Sequence, residues 1–178
     1  MKIKVDQIPE GGKDYILKVD AKKANRYFSL LKNSDFSATS DVLGKVNLCD
    51  KEGIIIAEGE VSVDLRLTCS RCLSHFRYPI SHHFRSIYSS FYKTCQEEDL
   101  ELKPYDMDVS IYNGVELDLD NVLYEQIFLG MPAQALCSPD CKGLCPSCGA
   151  NLNEGPCRCG IESHFSPFDV LKKLKLKG

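Results

Sequence analysis

The reading of this chain turns on residues 60–80: Glu60-Val61-Ser62-Val63-Asp64-Leu65-Arg66-Leu67-Thr68, then Cys69-Ser70-Arg71-Cys72-Leu73-Ser74-His75, then Phe76-Arg77-Tyr78-Pro79-Ile80. Polar and apolar residues alternate without a break from Glu60 to Thr68, the two-residue period of a strand buried on one face. Phe76 to Ile80 alternates too. Pro79 has no N–H to give to a ladder, so this second strand is expected at a sheet edge or with a bulge. The alternation points Phe76 and Tyr78 inward and Arg66 and Arg77 outward, with Arg71 in the turn. A strand, a Cys-x-x-Cys turn and a return strand make a knuckle that can aim two sulfurs at one metal ion.

Outward from this hairpin, Gly53 marks a turn ahead of Ile54-Ile55-Ile56, which starts the same ribbon. Val42–Cys49 and Tyr15–Val19 read as further strands. Ala24, Tyr27, Phe28 and Leu31 recur at helical spacing within a helix expected over Ala21–Lys32. Downstream, Asp99–Asp106 reads as an acidic loop, Asp108–Tyr112 as a short strand and Asn113-Gly114 as a turn. Asp118 is placed to cap a helix over Leu119–Leu129, with Leu119, Val122, Leu123 and Ile127 as its apolar stripe and Gly130 and Pro132 ending it. The fold class expected is α+β, a mostly antiparallel sheet with a few helices. Residues 1–135 form the sheet domain. Residues 136–178 form a cysteine-rich zinc-binding module that ends in a helix opened by Ser166-Pro167-Phe168-Asp169.

The module is defined by composition. Residues 137–160 hold six cysteines, four glycines and three prolines, too few large apolar groups to fold without a metal. The cysteines fall as Cys69-x2-Cys72, Cys137-x3-Cys141, Cys145-x2-Cys148 and Cys157-x-Cys159. Zinc takes four ligands in a tetrahedron and binds soft thiolates well. Four pairs suit two four-thiolate sites. The preferred division joins Cys145, Cys148, Cys157 and Cys159 locally and clamps Cys137 and Cys141 onto Cys69 and Cys72. Swapped pairs, or one zinc with spare thiols, satisfy the spacing too. Four thiolates leave no position for water, so such zinc is structural. Cys49 and Cys95 stand apart and read as small buried residues or inert thiols. His75, His82, His83 and His164 lack any helical His-x3-His context and read as surface or sheet residues.

The chain has 178 residues, 43% hydrophobic, with net charge −3. Its opening residues, Met1-Lys2-Ile3-Lys4, carry no apolar signal segment. Its longest fully apolar run, Ile54 to Ala57, is far short of a membrane span of about 20 residues. The expectation is a cytoplasmic protein with no membrane partner, where thiols stay reduced and cysteine clusters mean metal rather than disulfides.

The charge is unevenly spread. No acid occurs between Asp64 and Glu97, a stretch with Arg66, Arg71, Arg77, Arg85 and Lys93 among Phe76, Tyr78, Phe84, Tyr88, Phe91 and Tyr92. Guanidinium groups pair with phosphate and rings stack on unpaired bases, so this pattern suits RNA. Arg66, Arg71, Arg77 and Arg85 are the expected phosphate contacts. From Glu97 to Glu125 there are ten acids and one base, Lys103. The tail turns basic again at Lys172, Lys173, Lys175 and Lys177.

Cys69-Ser70-Arg71-Cys72-Leu73 after an alternating strand, Glu116-Leu117-Asp118-Leu119 opening a helix, and Cys141-Lys142-Gly143-Leu144-Cys145-Pro146-Ser147-Cys148-Gly149 followed by Asn151-Leu152-Asn153 resemble the YceD family, the large ribosomal RNA subunit accumulation proteins. Cys157-Arg158-Cys159 and the Ser166-Pro167-Phe168 opening fit as well, so the resemblance runs over about residues 55–178. It implies a bacterial or plastid-type ribosome-biogenesis factor that supports accumulation of large-subunit (23S-type) ribosomal RNA by binding it. It implies no enzymatic reaction and no small-molecule substrate. The competing reading is an interaction module that binds a ribosomal protein through the acidic stretch from Glu97 to Asp120. An enzyme, either a zinc hydrolase or a thiol oxidoreductase, is disfavoured because no acid–base pair stands near an open metal position.

Overall fold

The alternating segment becomes the longest hairpin of the protein. In the computed structural model, which describes residues 1–30, 36–90 and 109–159, strand β5 (Ile54–Thr68) pairs antiparallel with β6 (His75–Ser90) from Ile54↔Ser89 to Thr68↔His75. The inward residues Ile55, Ala57, Val61, Val63, Leu65 and Leu67 are buried. Strand β6 runs well past Ile80, where the sequence pattern fades. Phe84 and Tyr88 continue its inner face, but His82 and Ser86 interrupt the apolar rhythm.

Earlier strands extend the sheet. Strand β1 (Lys2–Lys4) precedes a 3-10 turn at Val5–Gln7; β2 (Lys13–Val19) leads into helix α1 (Ala21–Phe28); β3 (Ser37–Ala38) and β4 (Val42–Lys51) follow. After the hairpin come β7 (Val109–Tyr112), β8 (Glu116–Asp118) and helix α2 (Leu119–Leu129). The main sheet has the order β2-β4-β5-β6-β7, with β3 paired to β5. All its pairs are antiparallel except β6–β7, so the class is α+β as expected. Strands β1 and β8 form a separate two-stranded ladder that sets Ile3 and Leu117 into the core. The expected acidic loop at 99–106, Cys95, Lys93, Phe91 and Tyr92, the start of the strand expected at Asp108, His164, the helix expected at Ser166 and the lysine tail lie outside the described residues.

Both helices cover one face of the main sheet. Asp20 caps α1 by accepting from the Lys22 N–H, and Asp118 caps α2 by accepting from the Asp120 N–H. Helix α1 ends at Phe28, short of the expected Lys32, with Ser29 as its C-cap. Ala24 and Phe28 are buried, while Leu31 and Lys32 lie outside the described residues. Phe28 meets Phe36, Tyr124 and Phe128 with ring centroids 5.0, 5.5 and 5.7 Å apart. Helix α2 buries Tyr124 and Gln126 as well as its predicted stripe, since Tyr124 packs on Tyr27 and Phe28 of α1 and Gln126 Nε2 donates to Ser86 Oγ on β6. Phe76 and Tyr78 are only half-buried at the border of this core, close to the hairpin end.

Strand β7 meets β6 only at Ile87–Ser90. Among the described residues, β6 therefore has no neighbour on its second side from His75 to Ser86, and Pro79 sits within that free edge as its missing N–H requires. The opposite face of the sheet carries no helix among the described residues.

Two glycines allow close approaches, one between helix and sheet and one between neighbouring strands. A Cβ on Gly44 would lie 2.6 and 2.7 Å from the Leu123 Cδ atoms, so α2 packs directly on the β4 backbone. A Cβ on Gly59 would press into the Lys45 carbonyl oxygen and lie 3.0 Å from the Val46 Cα. Leu123 can change rotamer and a ladder backbone cannot. In urea titrations, Gly59→Ala should therefore lower the unfolding free energy by about 2 kcal/mol or more, and Gly44→Ala by less.

Candidate metal centres and the basic hairpin

The knuckle between β5 and β6 is held by backbone bonds. The Leu73 N–H donates to the Cys69 carbonyl at 2.9 Å and the Cys69 N–H to the Ser74 carbonyl at 2.9 Å. The distal segment repeats this geometry. There the Gly149 N–H donates to the Cys145 carbonyl at 2.8 Å and the Cys145 N–H to the Ala150 carbonyl at 2.8 Å. Each knuckle thus folds its Cys-x-x-Cys pair so that both sulfurs point the same way. The Ser70 N–H bonds to the Ala135 carbonyl at 2.8 Å and Arg71 Nη1 to the Cys141 carbonyl at 3.1 Å, tying the hairpin tip to the segment after α2.

The eight paired cysteines gather into two groups, Cys69–Cys72–Cys137–Cys141 and Cys145–Cys148–Cys157–Cys159, each with its Sγ atoms all within 4.8 Å of one another. These are the two quartets of the preferred division, and each can hold a metal ion. The donor geometry fits one. Cys69 and Cys141 Sγ are 3.8 Å apart and Cys72 and Cys137 Sγ 3.6 Å. The edge of a tetrahedron with metal–sulfur bonds of about 2.3 Å is about 3.8 Å. A disulfide would need about 2.05 Å. In the first quartet Cys69, Cys72 and Cys141 are buried beside Phe76, Leu136 and Leu144. In the second, only Cys145 is buried.

Asn153, quoted above only as part of the Asn151-Leu152-Asn153 motif, ties the distal loop to the first quartet. Its Oδ1 accepts from the Lys142 N–H at 2.8 Å, and its Nδ2 donates to Cys141 Sγ at 3.3 Å and to Asn151 Oδ1 at 2.8 Å. Cys49 lies away from both quartets and its thiol donates to the Glu10 carbonyl at 2.8 Å.

Electrostatics within each quartet are uneven. Burial opposes the Cys69 thiolate, but N–H groups of Cys137, Cys72 and Arg71 outweigh it and bring the thiol down to about 6. Ser74, through its hydroxyl and N–H, lowers Cys72 as well. Cys137 shares hydrogen bonds with Cys72 and Cys141 and is pushed up to about 12. In the second quartet, N–H groups of Cys148 and Ser147 lower Cys145 to about 6, while Cys148 pushes Cys159 up to about 12. Crowded thiolates repel, so one proton leaves readily and another stays until a cation arrives.

The arginines present a different picture from their run in the sequence. Arg66 and Arg77 are cross-strand partners, and Arg85 follows Arg77 on the same outer face. Arg77 Nη2 pairs with Asp64 Oδ2 at 2.6 Å and Arg85 Nε with Glu58 Oε1 at 3.2 Å, while His83 lies 4.0 Å from Glu60. The Arg77 guanidinium holds the Asp64 carboxyl below the usual carboxylate range. The acid-free run is thus met by acids across the ladder. Arg71 is turned to the Cys141 carbonyl. Arg66 is exposed and has no hydrogen-bond or ion-pair partner among the described residues. It shares a shallow hollow of about 490 Å³ with Thr39, Ser40, Asp64, His75, Phe76 and Arg77.

The profile of the family described as "Large ribosomal RNA subunit accumulation protein YceD" matches residues 57–175. Two plant proteins named large ribosomal RNA subunit accumulation protein YCED homolog 1, chloroplastic, are similar over shorter stretches. The one from Arabidopsis thaliana is 35% identical over 60 residues, 34% of this chain and 19% of that protein. The one from Zea mays is 44% identical over 64 residues, 35% of this chain and 20% of that protein. An uncharacterized protein of Mycobacterium tuberculosis (strain ATCC 25618 / H37Rv) is 28% identical over 105 residues, 59% of this chain and 48% of that protein. The matched stretch spans about a fifth of the plant proteins and about half of the mycobacterial one. No solved structure matches. No helix among the described residues is long and apolar enough to cross a membrane.

The uneven thiols give a measurable signature. At pH 7, metal loading should release fewer than four protons per quartet, because Cys69 and Cys145 are already largely ionised. Calorimetry of metal binding in buffers of different ionisation enthalpy counts those protons. Affinity should fall with falling pH, first through the thiols that hold their protons longest and last as Cys69 and Cys145 protonate near pH 6.

Proposed function

Since this chain belongs to the YceD family of large ribosomal RNA subunit accumulation proteins, we propose that it is a noncatalytic ribosome-biogenesis factor that binds large-subunit ribosomal RNA. Two structural zinc ions keep its binding surface in shape. Cys69, Cys72, Cys137 and Cys141 hold one ion, and Cys145, Cys148, Cys157 and Cys159 the other. Thiolate-only sites favour zinc over hard cations and leave no open position for chemistry. The first site draws on both the sheet, residues 1–135, and the module, residues 136–178, and makes them one working unit. The protein works in the cytoplasm, where ribosomes are assembled.

The observation that carries the RNA reading is the outer face of the β5–β6 hairpin, where Arg66 is without an acid partner and stands opposite Arg77. Surface ion pairs such as Arg77–Asp64 and Arg85–Glu58 are weak in water. Their guanidinium groups retain donors for phosphate, so Arg77 and Arg85 extend the track that Arg66 begins and Arg71 ends at the tip.

Elemental analysis of the full chain should find two zinc ions, and Cys72→Ser should lose the first while the local quartet keeps the second. Arg66→Glu should weaken binding to large-subunit ribosomal RNA about tenfold at low salt and flatten the salt dependence. Unchanged affinity would remove this face from the interface. A protein partner retained after nuclease treatment, with no RNA affinity in the purified protein, would point instead to the acidic stretch.

A further inference from the structure

The two knuckles share their backbone closure but not the residue that follows the second cysteine, Leu73 in one and Gly149 in the other. Both close with the N–H of the residue after the second cysteine bonded to the first cysteine's carbonyl, at 2.9 Å for Leu73 and 2.8 Å for Gly149. This closure turns that residue into the left-handed region, with φ 59° at Leu73 and 73° at Gly149. Glycine adopts this conformation freely and a leucine does not. The distal knuckle uses the residue the turn asks for; the hairpin knuckle does not. Leu73 gains nothing from packing in exchange. It is 62% exposed, and the small apolar cluster around Cys69, Cys72 and Cys141 is completed by Phe76, Leu136 and Leu144 instead.

A strained residue that the fold does not need is a mark of function. We infer that Leu73 is an apolar prong, held rigid at the hairpin tip by the metal knuckle, that inserts against unstacked bases of ribosomal RNA. The surroundings favour RNA. The turn from Cys69 to His75 carries no carboxylate, and Asp64, behind it on the outer face, is held by Arg77. His75 pairs with Thr68 on the first rung behind the tip, and Arg66 with Arg77 two rungs further back. A phosphate backbone can run along the Arg66–Arg77 pair while its bases meet the prong. Branched aliphatic side chains serve as such wedges in nucleic-acid complexes.

The inference rests on the RNA-binding reading, and the test separates the two. The zinc-loaded full chain, Leu73→Gly, Leu73→Ala and Leu73→Met are compared by melting midpoint, zinc content and binding to deproteinised large-subunit ribosomal RNA. The expected result is that Leu73→Gly melts at or above the parent, keeps its zinc, and binds the RNA about fivefold or more weakly. Leu73→Ala also binds weakly, though it keeps the left-handed strain, and Leu73→Met binds like the parent. If the parent binds and Leu73→Gly binds equally well, the prong is refuted while RNA binding stands. If Leu73→Gly melts well below the parent, Leu73 is a structural residue and the inference falls. If the parent shows no affinity for the RNA, the RNA-binding reading itself fails.

Discussion

A quartet of thiols that takes half its members from a hairpin tip and half from a segment more than sixty residues later constrains everything around it. Cys69 and Cys72 can point inward only because the β5–β6 ladder is in register up to Thr68↔His75. Cys137 and Cys141 can reach them only because α2 ends at Gly130 and the next residues run back to Ser70. The order of β4, β5 and β6, the docking of α2 on Gly44 and the position of the knuckle are therefore one geometric problem. The local quartet imposes no such demand. Its four cysteines lie within a short hairpin of their own, joined to the rest through Asn153 and Leu144.

The outer face shows how sequence charge and surface charge differ. Arg77 and Arg85 belong to a stretch without acids, yet each finds a carboxylate on β5. The pairing comes from register, since Glu58 lies opposite Arg85 and Asp64 lies two places from Arg66, itself opposite Arg77. A polyanion approaching this face has to compete with those carboxylates everywhere except at Arg66. The cationic character is thus concentrated toward the hairpin tip, where Leu73 takes a left-handed conformation.

Much of this was legible. The strict alternation of β5, the Asp118 cap, the stripe of α2 and the grouping of cysteines by spacing all report local physics that needs no tertiary context. What the sequence concealed depends on neighbours. The second half of β6 carries His82 and Ser86 on its inner face, where α2 supplies Gly130 and Gln126 as partners, so its apolar period is broken. Strands β1 and β8 are three residues each, too short for any period to register. The turning of Arg71 toward the Cys141 carbonyl, and the bond from Asn153 to the Cys141 sulfur, exist only once distant segments meet.

The two quartets also differ in time. Cys145 to Cys159 close a short loop, which a chain still in synthesis can do as soon as that stretch is free. Cys69 and Cys72 emerge early and must wait for Cys137 and Cys141, and for a long antiparallel ladder whose non-local pairing is slow. During that wait one pair of thiols stands open at the end of an unfinished hairpin, exposed to stray metal and to oxidants. The spacing thus separates a closure that needs only its own short loop from one that needs the finished ladder.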